Sequence, residues 1–333
     1  MLELRPPVFD PNTAAGLARH YFGVIGTAAP LPSERDQNFK LTTSAGDSFV
    51  LKVTQAGEDR PLLEAQNTIL ALLETARTRF RFPRLRPALN GELMVEVVGS
   101  NGTTHQARLV EYLPGEPLAR VRPQPPELLR SVGELLGTVD RVLNVFSRDV
   151  LQRDFYWDLR NGGTVIDRNL SAISDRARRA RLASFQPLLE VVAGLDAELR
   201  RSVIHNDGND YNLIVRTPSV TQPFEPLELV GLVDFGDVVH TWTVAEVAIA
   251  AAYVMLGKRD PLAAAAEVVA GYHNEFPLTA AEIEAVYPLI CTRLVMSVAL
   301  AAVQRANQPE NEYLSISEAP AWALLERLAA VPP

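Results

Sequence analysis

The chain of 333 residues contains a single cysteine, Cys291. One thiol cannot close an internal disulfide or build a thiolate metal site. It lies in LICTRLVMSV, an apolar stretch with helical spacing, and reads as a packed side chain. Excess positive charge is also missing. Thirty-two Lys and Arg face 40 Asp and Glu, for a net charge of -8 and a pI near 5.3. That balance argues against non-specific binding to nucleic acid or to an anionic membrane. The five histidines include His20, His105, His240 and His273, which do not fall at metal-ligand spacings. The longest apolar runs, around residues 243 to 256 and 294 to 303, are too short to span a bilayer, and the first carries Glu246. The opening MLELRPPVFD has no basic start followed by an apolar run, so no signal peptide is expected and a cytoplasmic location is. No internal repeat or low-complexity tract is present. The 47% hydrophobic and 22% charged composition is that of a soluble globular protein, long enough for one large domain or two lobes.

The first hundred residues read as β-rich after one helix at 13 to 22. FKLTTSAGDSFVLKV predicts two strands around a turn at Gly46-Asp47, and RPLLEAQNTILALLETA predicts a helix opened by Pro61. A hairpin turn is expected at Asn90-Gly91. Composition then shifts. Prolines at 114, 117, 123, 125 and 126 are incompatible with a helix interior and mark a lobe boundary. Helical patterns follow at 127 to 145, 171 to 200, 243 to 256, 261 to 274, 279 to 304 and 320 to 330. Two strand-like pairs interrupt them, at 203 to 215 and 227 to 237.

The first of these interruptions, VIHNDGNDYNLIV, sets a polar island between apolar flanks. Polar groups brought into a core are costly unless paired or at work. His205, Asp207 and Asn212 form an H-x-D-x-x-x-x-N spacing, and Asp234-Phe235-Gly236 begins 27 residues after Asp207. Upstream, Lys52 ends a predicted strand and Glu64 lies twelve residues on in a predicted helix. Each feature alone has an ordinary explanation: a snorkelling lysine, a polar turn, an Asp-Gly turn. Together, and in this order, they match the parts of kinase-type phosphoryl transfer. A nucleotide triphosphate needs a fixed ammonium at its phosphates, the role expected of Lys52, with Glu64 holding it. Mg²⁺ prefers oxygen ligands, which Asn212 and Asp234 supply. A carboxylate must orient and deprotonate the attacking hydroxyl, the role expected of Asp207.

At these residues the chain resembles the aminoglycoside phosphotransferase-like kinases of the choline kinase superfamily. VIHNDGNDYNLIV, GLVDFGDVVHTWTVAEVAIAAAYVM and LPSERDQNFKL look most like the hydroxylysine-kinase branch. The resemblance implies an α+β, protein-kinase-like two-lobe fold. Residues 1–113 would form a small antiparallel β-rich nucleotide-binding lobe, and 114–333 a larger, mainly helical catalytic lobe. There is no G-x-G-x-x-G loop; by resemblance the segment from Ser33 to Asn38 covers the phosphates. The hinge falls at Leu109 to Leu113, with Glu111 and Leu113 as base-contacting positions. Asn206 stands where protein kinases have Arg, so no activation-loop switch is expected.

The resemblance further implies ATP or GTP with Mg²⁺. The acceptor is a hydroxylated amine: hydroxylysine first, with homoserine, ethanolamine, choline or an aminoglycoside open. Candidate acceptor-site residues are Asp210, Tyr211, Asp237, Trp242, Glu246 and Trp157. Neither nucleic acid nor membrane is an expected partner, and the chain is expected to be a monomer or homodimer. The competing class is a nucleotide-binding pseudokinase with a regulatory role. It is disfavoured because all five catalytic positions hold competent residues.

Overall fold

The computed structural model describes residues 7–33, 35–218, 225–307 and 316–331. Contacts divide the chain into two units, Met1–Arg77 with Arg81–Pro114, and Thr78–Phe80 with Gly115–Pro333. Arg79 ties its short segment to the second unit through an ion pair with Glu134 and a 3.2 Å bond to Ser131.

The first unit begins with helix α1 (Pro11–Phe22). Its N-cap is Asp10, whose carboxylate accepts from the amides of Asn12 and Thr13. Strands β1 (Gly26–Leu31), β2 (Gln37–Thr43) and β3 (Ser48–Val53) follow, then helix α2 (Arg60–Thr75) and strands β4 (Leu85–Arg86), β5 (Val95–Val98) and β6 (Thr104–Glu111). All pairings are antiparallel, in the order β1-β2-β3-β6-β4, with β5 also on β6. Ala14, Ala18 and Phe22 of α1 join Phe39, Leu41, Leu51, Val53, Val97 and Leu109 in one buried cluster. Each large apolar side chain buried there contributes ~1.5–3 kcal/mol. The Asn90-Gly91 turn forms, but not as a hairpin between neighbouring strands. The strands on either side, β4 and β5, pair instead with successive parts of the longer β6, at Leu109 and Val110 and at 104–107 respectively.

The second unit opens with strand β7 (Glu116–Pro117) and helix α3 (Pro126–Leu143). Helices α4 (Gly162–Asn169), α5 (Arg176–Ala183) and α6 (Gln186–Leu195) follow, so the helical run expected over 171 to 200 breaks, at Ser184-Phe185. Next come strands β8 (Arg201–Ile204), β9 (Leu213–Arg216), β10 (Glu228–Leu232) and β11 (Val239–Trp242). Helices α7 (Ala245–Val254), α8 (Pro261–Glu275), α9 (Ala280–Asn307) and α10 (Glu318–Leu328) complete it.

Helices α3 and α8 meet almost backbone to backbone. A methyl group built on Gly133 would lie 1.9 Å from the Val268 carbonyl oxygen, and one on Gly271 would lie 2.0 Å from that of Arg130. Helix α9 runs on from the apolar segment expected at 294 to 303 and reaches the length and hydropathy of a membrane-crossing helix. Its most apolar stretch is 89% buried inside this unit, so it serves as a core helix here. Cys291 is buried on it, and that burial pushes its thiol up to about 12.

The polar island lies between two small sheets. Strand β8 pairs with β11, while β9 pairs with β10 and β7; β8 and β9 are not partners. The loop from His205 to Asn212 therefore connects two separate ladders.

Candidate active site

Within that loop, each residue has an identifiable anchor. The His205 ring is fully buried, its Nε2 3.1 Å from the Val233 carbonyl oxygen and its Nδ1 accepting from the Asp207 amide at 3.2 Å. It also meets Phe235 edge-to-face at 4.6 Å. This one side chain thus ties the loop to the turn after β10, where Asp234 sits. Asn206 adopts a φ of 66°, and its amide donates to Glu246 Oε2 at 3.0 Å. A non-glycine residue holds this left-handed conformation only where its surroundings fix it. Asn209 then caps the next turn, its Oδ1 accepting from the amides of Tyr211 and Asn212 at 2.8 and 3.2 Å.

These anchors fix Asp207. Its Oδ2 accepts from Asn212 Nδ2 at 2.7 Å, and the same nitrogen donates to the Asp207 carbonyl at 2.9 Å. Its Oδ1 accepts from Asn209 Nδ2 at 2.9 Å and from Arg293 at 3.3 Å. The side chain keeps 23% of its surface exposed. Desolvation raises its pKa to about 8; the charges of Asp237 and Asp234 push the same way, and Arg293 and Asn209 oppose them.

The donor set fits a hard cation. Because Asn212 commits its amide nitrogen to Asp207, its amide oxygen is the atom left to a metal. Asp234 stands at a φ of 64°, directly before the short helical turn Phe235–Asp237, so that the chain bends at the carboxylate. Val233 is tied to the loop by its amide, which donates to the Asn212 carbonyl at 3.0 Å. Arg153 holds the following segment through the Gly236 and Val238 carbonyls, at 3.4 and 3.2 Å.

In the first unit, Lys52 is 8% exposed on β3, opposite Asn38 of β2 and Arg108 of β6. The buried Asn38 Oδ1 has no hydrogen-bond partner among the described residues. Arg108 bonds Asn67 and Gln66 of α2, at 2.9 and 2.6 Å. The expected Lys52–Glu64 pair is not the one that forms. Glu64 lies on the exposed face of α2 and pairs with Arg60 one turn earlier, at 2.9 Å. The buried face of α2 presents Gln66 and Asn67 instead. Ser33 lies in the connection between β1 and β2, of which Glu34 falls outside the described residues. Glu111 pairs with Arg81 at 2.6 Å, and its amide donates to the Arg84 carbonyl at 2.8 Å. Leu113 is buried, two residues beyond the end of β6.

The acceptor candidates separate into three pairs. Asp237 and Trp157 lie at the Asp207 site: Asp237 raises the Asp207 pKa, and Trp157 contacts Arg293. Glu246 does not face an acceptor. It is wholly buried beneath the loop, where the Asn206 amide occupies one of its oxygens, and burial raises its pKa to about 7. Trp242 is likewise a packing residue. Its Nε1 donates to Asp196 at 2.8 Å, and it lines a cavity of about 260 Å³ with Leu159, Arg160, Leu189, Leu289 and Thr292. Asp210 is raised to about 6 by burial, with Arg122 and Lys258 as its cationic neighbours, and Tyr211 lies beside it, half-buried.

Arg293 is the residue that sequence reasoning passed over. It is 2% exposed on α9, donates to Asp207 Oδ1 and to the Trp157 carbonyl at 3.3 Å each, and stacks over the rings of Trp157 and Tyr253 at 4.4 and 5.5 Å. The signal was present: between Glu284 and Arg305 it is the sole charged side chain in an apolar helix.

Residues 27–286 match the family described as "Phosphotransferase enzyme family". The chain is 30% identical to hydroxylysine kinase of Bos taurus over 98% of its own length and 90% of that protein's. Its fold is similar to a microcompartment-associated aminopropanol kinase, with a TM-score of 0.71 at 19% identity, covering 95% of this chain and 97% of that one. It is also similar to an amicoumacin kinase solved with AMP-PNP and Ca²⁺, with a TM-score of 0.69 at 13% identity over 96% and 94%. The α+β, protein-kinase-like chain therefore belongs to the phosphotransferase enzyme family, as a small-molecule kinase that acts on a hydroxyl group.

Proposed function

We propose that the protein transfers the γ-phosphoryl group of ATP or GTP to the hydroxyl of a small amine-bearing acceptor of the hydroxylysine type. The observation that carries this reading is the state of Asp207: oriented by three side-chain donors, yet still partly open to an incoming molecule. In the proposed reaction Asp207 accepts the hydroxyl proton and aligns the oxygen for attack. Asn212 and Asp234 hold Mg²⁺, which when bound neutralises phosphate charge. Lys52 supplies a fixed ammonium to the phosphates, while Ser33, Glu111 and Leu113 contribute to the nucleotide site. The chemistry required of the chain is positioning and charge balance, for which rigid anchoring of each group is the main contribution.

An amine on the acceptor suits the local charge. Asp237 and Asp234 both act electrostatically on Asp207, and Arg293 partly offsets them there. Hydroxylysine leads among acceptors because relatives from cattle, frog and zebrafish, each 30% identical, are hydroxylysine kinases. The test is nucleotide turnover with Mg²⁺ across hydroxylysine, homoserine, ethanolamine, choline and an aminoglycoside, with ATP and with GTP. Acceptor-dependent release of nucleoside diphosphate, abolished in Asp207→Ala and Asp234→Ala with the fold intact, supports the reading. Turnover that survives Asp207→Ala defeats it.

A further inference from the structure

An acceptor bearing both an ammonium and a hydroxyl presents the catalytic carboxylate with two partners. The charge-assisted pair with the ammonium is the stronger, and it places the wrong atom at the base. At Asp207 one carboxylate oxygen is already occupied. Each oxygen offers two lone pairs. Oδ1 receives Asn209 Nδ2 at 2.9 Å and Arg293 at 3.3 Å, which fills it. Oδ2 receives Asn212 Nδ2 at 2.7 Å, which leaves one lone pair.

Arg293 is built into this position. Its guanidinium is held by the Trp157 carbonyl at 3.3 Å and is stacked on Trp157 and Tyr253. Such packing fixes a planar cation in a way that a flexible ammonium does not match.

We propose that Arg293 is a positioning residue that saturates Asp207 Oδ1 and takes the cation's place there, so that the acceptor's amine is turned away and its hydroxyl meets Oδ2. This rests on the reading of Asp207 as the base for a hydroxylated amine.

The experiment begins with the best acceptor of the wild-type enzyme and its deoxy analogue, lysine in the case of hydroxylysine. Arg293→Met should lower kcat by ~100-fold while changing the acceptor KM far less, as expected when orientation rather than binding is lost. Lysine should become a competitive inhibitor ~10-fold tighter than against the wild type, because its ammonium now pairs with Asp207. Guanidinium ion at millimolar concentration should restore part of kcat, which a purely structural defect would not allow. Arg293→Lys should fall between, and it carries the test alone if Arg293→Met fails to fold. A loss confined to KM, unchanged inhibition by lysine, or Arg293→Lys no better than Arg293→Met overturns the proposal. If the wild type phosphorylates no hydroxylated amine, the acceptor class falls, and this inference with it. Wild-type turnover with unaltered lysine inhibition in the variants sinks this inference alone.

Discussion

One amide nitrogen of Asn212 bonds Asp207 twice, at the carboxylate Oδ2 and at the backbone carbonyl, 2.7 and 2.9 Å away. The side chain proposed to bind the metal and the one proposed to take the proton are thus a single mechanical unit. Asn212→Asp keeps the size, removes both donors and sets a second carboxylate against Asp207. A fall in kcat of ~10²–10³-fold is expected, with circular dichroism unchanged. A smaller loss in this variant than in Asn212→Ala would separate the two functions.

Lys52 and Glu64 should behave independently. Lys52→Ala is expected to raise the nucleotide KM more than the acceptor KM. Glu64→Ala should leave both within about twofold, since its partner Arg60 is exposed and such surface pairs contribute little. Parallel nucleotide titrations of the two variants decide the matter; equal losses would restore the coupling expected from sequence.

Glu246 gives the stability a pH dependence. Its pKa in the fold, about 7, lies above the ordinary carboxyl value of 4.5. The folded state therefore binds the proton more tightly than the unfolded state, and this group's contribution to stability declines as pH rises from about 4.5 to about 7. The full difference is worth ~3 kcal/mol. Glu246→Gln retains an acceptor for the Asn206 amide and removes the decline. Its Tm should match the wild type near pH 4.5 and exceed it by a few degrees at pH 8. Equal melting curves at pH 8 would refute this.

The contact between α3 and α8 tolerates no added side chain. Gly271→Ala would place a methyl group 2.0 Å from the Arg130 carbonyl oxygen, a backbone atom that cannot swing aside. A loss of ~1–3 kcal/mol or more is expected, read as a lower urea midpoint. Gly163→Ala, with open space around the position, is the control and should leave the midpoint in place.

Much of this was legible in the sequence because the loop chemistry is local. The offset from His205 to Asn212 is set by a single loop, and Asp234 follows β10, the antiparallel partner of the strand that leaves that loop, so the residue string carries much of the geometry. Pro61 marked a helix start for the same reason. What escaped depends on distant packing. Arg293 reaches Asp207 from 86 residues away. Glu64 was assigned by its spacing from Lys52, but which face of α2 is buried depends on what the sheet offers it. Trp242 and Glu246 were suitable in type, but burial commits them to Asp196 and to the Asn206 amide. The turn at Asn90-Gly91 was read correctly as a turn and wrongly as a hairpin, because strand partnership is decided by β6.

Strands β8 and β9 belong to different ladders, so the loop between them works as a joint rather than as part of a plate. Each ladder can keep its register while a small slide between them breaks the His205–Val233 contact that ties the loop to the Asp234 turn. On gentle heating, catalysis should then fade before the helices melt, and loss of activity would mark the loosening of that joint rather than the unfolding of the chain.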